Sequence, residues 1–561
     1  MQGGVSPGGC RRCAIGDIAR AVPDRRSYGV PVGAIQVSHV SWSRPGGDVL
    51  LDDVSFRIGD GERAALVGAN GVGKTTLLRL VAGDLDGHSG SITVDGRVGV
   101  MHQLVGSIRD ATTVRELYVG LATEKVRVAG QALLAAERAI AARPEDPDVA
   151  TAYGQAVADW GEAGGWDLEP FWDECTCRAV GVPWSELADR RVATFSGGEQ
   201  KKLALEALLH GDHQVLLLDE PDNFLDVPGK RWLERELQAC GKTVLLISHD
   251  RELLAAVATR IVTVEAHGTW THGGSFAGYH QARVDRVAWL EKEFALHQRE
   301  RQRLVDLVVE MRQRARLTDT FAPKLKAAES RLRLFDEKHT PPERVVEQRI
   351  TMRLGGGRTG RRALTIERLE LAGLTDPFDF EVWFGERVAV LGANGAGKSH
   401  FLRLLAGDGT VEHSGKVVLG ARVVPGHFSQ THHHPDLIGR TLLEALERRD
   451  VIRGPAMSRL RRYELDHCAE QPFETLSGGQ QARFQIVLLE LAGATMLLLD
   501  EPTDNLDLVS AEALELGLAG FEGTVLAVTH DRWFQRGFDR FLVFGGDCSV
   551  TDHMEPPPGY R

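Results

Sequence analysis

The stretch GANGVGKTT at residues 68–76 returns as GANGAGKSH at residues 392–400, and this pair constrains the fold more than any other feature. Both copies fit the pattern G-x-x-x-x-G-K-[ST]. Gly68, Gly71 and Gly73, with Asn70 between them, let the backbone turn tightly enough to aim several N–H groups at phosphate oxygens. Lys74 then reaches the terminal phosphates, and the Thr75 hydroxyl is placed for Mg²⁺, followed by Thr76. The second copy offers Gly392, Asn394, Gly395, Gly397, Lys398 and Ser399, with His400 in place of the second hydroxyl. Apolar RAALV and RVAVL precede the loops, and LLRLVAG and FLRLLAG follow them. This is a strand–loop–helix order, in which the helix N-terminus adds its own partial positive charge.

The 561 residues allow about three or four domains. No apolar run approaches the roughly 18 residues of a membrane span, and the N-terminus lacks the basic-then-apolar layout of a secretory signal. Seven cysteines speak against a disulfide scaffold and for a reducing, cytoplasmic setting. Cys10 with Cys13, and Cys175 with Cys177, are too few for a metal site that wants about four ligands. His432, His433 and His434 read as a polar loop. The net charge of −12 hides a basic segment: residues 281–350 hold 16 Arg and Lys against 12 Asp and Glu. Such asymmetry points to a partner.

The repeat extends well beyond the loop. MHQ, with Gln103, is answered by FSQ, with Gln430; FSGGEQ by LSGGQQ; VLLLDEP by MLLLDEP; ISHDR by VTHDR. Residues 1–33, rich in Gly, Pro and Arg, read as a disordered extension or as an early start site. Residues 34–283 and 363–550 then form the two copies, and 551–561 a tail. Each copy resembles the nucleotide-binding cassette of the ATP-binding cassette superfamily, because SGG between two phosphate-site motifs is specific to it. The resemblance implies an α/β fold of two P-loop cassettes and an ATPase using ATP and Mg²⁺.

It also implies roles. Asp219 and Asp500 would hold Mg²⁺ together with Thr75, Ser399, Gln103 and Gln430. Glu220 and Glu501 would polarise the attacking water, and His249 and His530 would contact the γ-phosphate. Ser196, Gly197 and Gly198 would cap ATP bound at Lys398, while Ser477, Gly478 and Gly479 would cap ATP bound at Lys74. Trp42 lies where similar cassettes place a ring under adenine, and Leu371 takes that place in the second copy. Asp222 stands where the second copy has Thr503. The two sites are expected to be competent but unequal.

Between Gln103 and Ser196 the first copy carries about 46 residues more than the second does between Gln430 and Ser477. The extra material, roughly 112–170, reads as helical, either an arm or an enlarged helical subdomain. In residues 284–362, Val287, Leu290, Phe294, His297, Arg301, Leu304, Val308, Met311 and Ala315 keep 3/4 spacing. Phe321, Leu325, Ala328, Leu332 and Phe335 keep it again. Two amphipathic helices paired as an antiparallel coiled-coil hairpin follow, with a tip near 317–323. Arg312, Arg314, Arg316, Lys324 and Lys326 cluster there. Two cassettes, no membrane span and a basic helical linker together resemble the ABC-F family, as does GTWTHGGSFAGYHQAR at 268–283. That resemblance implies a cytoplasmic ATPase, monomeric with an intramolecular cassette pair. Its linker would reach the P-site tRNA and the peptidyl transferase centre of the ribosome. Antibiotic resistance by ribosome protection is favoured over a housekeeping translation role. A transporter's ATP-hydrolysing subunit is a third reading.

Overall fold

A computed structural model describes residues 33–265, 267–318, 321–339, 350–429 and 436–560. The expected N-terminal extension with Cys10 and Cys13, and also Gln430, His432, His433 and His434, lie outside the described residues.

The two copies share one topology. Each has a three-stranded antiparallel sheet and a six-stranded, mainly parallel one. In the first cassette the large sheet runs Val98–Met101, Val215–Asp219, Thr243–Ile247, Arg63–Val67, Arg260–Val264, Thr269–Gly273. The second repeats it as Pro425–Phe428, Met496–Asp500, Thr524–Val528, Arg387–Gly392, Arg540–Phe544, Val550–His553. Runs such as VLLLD and TVLLI are buried at every position, as parallel strands covered on both faces must be. The last strand, Val550–His553, pairs antiparallel with Arg540–Phe544 and so crosses the expected start of the tail at 551.

Strand register creates the site. Asp219 pairs with Ile247, and Leu66 with Ile247, so Gly68, Glu220 and Ser248 leave the sheet at one edge. Ligands of open α/β sheets bind at the carboxyl ends of such strands. In the second cassette Asp500 and Val390 both pair with Val528.

The extra residues of the first cassette fold as helices Glu124–Ala142 and Pro147–Glu162. Their inner faces share one core with Val114–Leu121, Glu169–Val180 and the helix Gly197–His210. Tyr118, Trp160, Trp172 and Trp184 form its centre: the Trp172 ring lies 5.0 Å from Trp184 and 6.1 Å from Trp160. A Cβ on Gly130 would lie 2.7 Å from Trp160, so glycine lets the helices approach. The extra chain therefore extends the helical part of the cassette instead of standing apart from it.

The linker begins earlier than its apolar seam. One helix runs Phe276–Ala315, about 60 Å at 1.5 Å per residue. Its first turns belong to the cassette, where Tyr279 stacks on Trp270 at 5.7 Å and bonds Thr263. The boundary at 284 thus falls inside a helix. The partner helix Ala322–Lys338 returns antiparallel. His297 lies 5.0 Å from the Phe335 ring, Arg301 bonds Asp336 at 2.9 Å and Arg312 bonds Glu329 at 2.9 Å. Val308 and Ala328 are buried in the seam. Among the described residues no helix is long and apolar enough to cross a membrane.

Candidate functional site

Each phosphate loop is built on positive-φ glycines: Gly68 at 150°, Gly71 at 82° and Gly73 at 107°, matched by Gly392, Gly395 and Gly397. A Cβ on Gly68 would stand 2.6 Å from the Val264 carbonyl. The loop lysines curl back onto it. Lys74 donates to the Gly68 and Ala69 carbonyls at 2.8 and 3.1 Å, and Lys398 to those of Gly392 and Ala393 at 2.8 and 2.9 Å. Burial lowers both ammonium pKa values, opposed by nearby carboxylates.

The hydroxyl that follows each lysine meets a carboxylate. Ser399 donates to Asp500 at 3.1 Å, and Thr75 bonds Asp219, whose pKa burial raises to about 6. Asp219 Oδ1 is buried with no hydrogen-bond partner among the described residues. A hydroxyl beside a buried carboxylate is a donor set that fits Mg²⁺.

The glutamates differ in their company. Glu220 accepts from Gln103 at 2.9 Å and from Asn223 at 2.6 Å. Glu501 accepts the His530 N–H at 3.0 Å, and burial raises its pKa to about 8. Both glutamates have positive φ, 49° and 46°. That backbone is costly for a side chain with a Cβ and clusters at functional sites. His530 Nε2 lies 3.3 Å from Lys398 Nζ and 3.2 Å from Asn394 Oδ1. Burial, then the adjacent lysine, holds His249 and His530 well below the usual imidazole pKa, so both are neutral.

The cassettes meet head to tail. A cavity of about 370 Å³ is lined by Ser196, Gly197 and Gly198 of the first and by Asn394, Lys398, Asp500, Glu501 and His530 of the second. Ser196 caps the helix Gly197–His210, and Ser477 caps Gly478–Ala492, each through a capping box. Each helix N-terminus can therefore receive an anion held by the opposite loop. Asn394 donates to the Phe224 carbonyl at 3.0 Å; Asn70 donates to the Asn505 carbonyl at 3.1 Å, and its own N–H to Asp507. Two ion pairs also exchange across the interface, Arg251 with Glu515 and Arg532 with Glu234. Sequence reasoning missed these partners, although the repeated DEPxxxLD could have signalled Asp507.

Trp42 is half-buried with Nε1 bonded to the Asp86 carbonyl at 3.2 Å. Leu371 is fully buried in its sheet and presents no face at all. A methyl on Gly479 would lie 2.2 Å from Asn70 Nδ2 and 2.9 Å from the Asn505 carbonyl. Gly479→Ala is therefore expected to hold the cassettes apart and cut ATP hydrolysis about 10- to 100-fold, as small misplacements do. Steady-state phosphate release checks this; an unchanged rate would mean the interface has slack there.

Comparison with known proteins agrees with this geometry. The ABC transporter family model matches residues 51–223 and 375–504. The chain is 52% identical to an antibiotic resistance protein of Mycobacteroides abscessus, over 93% of this chain and 99% of that one. It is 30% identical to ABC transporter F family member 5 of Arabidopsis thaliana, over 90% of this chain and 74% of the relative. Identity is 31% with the tylosin resistance ATP-binding protein TlrC of Streptomyces fradiae, over 87% and 93%. In fold it is like the archaeal ABCE1 of a ribosome-bound Pelota–ABCE1 assembly, with a TM-score of 0.54 at 19% identity over 92% of this chain and 78% of that one. Two head-to-tail nucleotide cassettes define the molecule as an ATPase. The chain belongs to the ABC-F family of tandem-cassette ATPases.

Proposed function

We propose that this protein is a cytoplasmic, monomeric ribosome-binding ATPase that protects the large subunit from an antibiotic. The hairpin carries the reading. Arg312 and Arg314 are tied to Glu329 and Glu310, whereas Arg316, Lys324 and Lys326 make no ion pair with the described residues. They stay available to rRNA or tRNA phosphates. At the tip Leu317 is 86% exposed, and Phe321 sits under Arg314 and Lys324 at 5.9 and 5.1 Å. An apolar, cation-framed tip on a rigid rod suits entry into an RNA-lined cavity such as the peptidyl transferase centre, beside P-site tRNA. The resistance names of two relatives favour protection over a housekeeping role.

In this reading each ATP lies between a phosphate loop and the opposite SGG helix. Thr75 with Asp219, and Ser399 with Asp500, would hold Mg²⁺, which would neutralise phosphate charge. Gln103 and Gln430 complete that shell. Glu220 and Glu501 orient and deprotonate water, and neutral His249 and His530 meet the γ-phosphate. ATP closes the clamp on the ribosome and hydrolysis releases it.

The test is co-sedimentation of the Glu220→Gln, Glu501→Gln double variant with 70S particles. ATP-dependent pelleting is expected, with loss on replacing Arg316, Lys324 and Lys326 by Ala. Displacement of a bound drug from that complex would establish protection; stable binding without displacement would leave a housekeeping translation factor. A variant that stays in the supernatant at low salt refutes ribosome binding.

A further inference from the structure

Residues across the interface exchange by a fixed step, Glu234 with Glu515 and Arg251 with Arg532. Several positions break the exchange, the pair Glu252 with Arg536 among them, and two of them meet inside the interface. Lys230, on the helix Val227–Ala239, has Ala511 as its counterpart, and Asp222 has Thr503. Lys230 and Asp222 are only 7% and 4% exposed. Lys230 Nζ stands 2.9 Å from Asp250 Oδ2, and both it and Asp222 lie in the field of the other's charge. One cassette thus has threonine and alanine where the other buries a carboxylate and an ammonium.

A counter-ion for Asp222 would need nothing beyond that. Lys230 reaches further. It lines the cavity that holds Lys398 and Glu501, and its Nζ stands 3.5 Å from the carbonyl oxygen of His530 in the opposite cassette. That is the outer limit of a hydrogen bond, yet an ammonium still attracts a carbonyl dipole there. The N–H of the same histidine donates to Glu501. The backbone of His530 is thus engaged on both sides, by Glu501 of its own cassette and by Lys230 of the other. In the mirror position Ala511 has no polar side chain to offer His249.

We propose that Lys230 is a positioning residue for hydrolysis at the Lys398 site, fixing the backbone of His530 from the opposite cassette. It acts through the histidine and makes no demand on nucleotide binding. The first cassette thereby adds to its SGG helix a second contact on which turnover at the Lys398 site depends, and the Lys74 site has no counterpart of that contact.

The experiment uses the full chain in a Glu220→Gln background, so that phosphate release reports the Lys398 site. Rates are taken at a temperature where circular dichroism shows every variant folded. Lys230→Ala is expected to lower the single-turnover rate about 10- to 100-fold, with the half-saturating ATP concentration unchanged. Lys230→Arg, which keeps the cation, restores most of the rate. The Asp222→Thr, Lys230→Ala double variant re-creates the second cassette's pair and removes one of the two buried carboxylates that face Lys230, while Asp250 keeps the charge of Arg532 nearby. It is expected to regain part of the Tm lost by Lys230→Ala but to stay slow. If the double variant recovers its rate together with its Tm, Lys230 is only a counter-ion. An unchanged rate in Lys230→Ala, or a change confined to ATP affinity, also overturns the proposal.

Discussion

Glu501→Gln is expected to lower ATP turnover at the Lys398 site by about 10²- to 10⁴-fold, the usual loss for a general base. The substitution is close to isosteric, and its amide oxygen can still accept the His530 N–H that Glu501 accepts at 3.0 Å. The positive-φ backbone at Glu501 is untouched. What disappears is the capacity to take a proton from water. Nucleotide binding, which rests on the phosphate loop and Lys398, should therefore remain near wild type while phosphate release collapses. Rapid-quench measurement of a single turnover separates the two quantities. A rate within about three-fold of wild type would remove Glu501 from the role of base. Joint loss of binding and rate would instead indicate a collapsed site.

The largest loss of stability is expected in a different place. Trp172 is 3% exposed and touches Tyr118, Trp160 and Trp184 through its ring. These four residues come from four separate helices, so the cluster is what joins the extra helical pair to the rest of the first cassette. Trp172→Ala is expected to cost about 3–5 kcal/mol, from lost burial and from a cavity the rigid neighbours cannot fill. Trp289→Ala, at a 59% exposed position, should stay within about 0.5 kcal/mol. Urea unfolding followed by far-UV circular dichroism reads both. Equal effects would mean that the cluster relaxes around the missing ring.

Both predictions draw on parts of the molecule that the sequence revealed unequally. The phosphate loops, the VLLLDE strands and the histidine turns were legible because each depends on local geometry. Glycine must adopt positive φ at fixed spacing, and a strand buried on both faces must be apolar throughout. The hairpin was legible from its 3/4 spacing. Its true start at Phe276 was not, because Tyr279 serves the cassette core and interrupts the seam pattern. The aromatic cluster could not be foreseen, since Trp160, Trp172 and Trp184 lie on three separate helices and no helix or strand period joins them. Hardest of all were the interface contacts. Arg251 with Glu515, and Lys230 with His530, join residues some 260 to 300 positions apart, and no local signal pairs them. Only comparing the two copies position by position exposes Lys230 and Asp222 as departures.

Those departures have a bearing on ancestry. In a symmetric dimer of identical chains every residue occurs twice, so a lysine reaching across the interface must do so at both sites or at neither. Covalent fusion lifts that constraint. Each half then drifts under its own selection, and one ATP can be burned on terms that the other does not share. The broken symmetry around Lys230 is one that a dimer of identical chains could not hold.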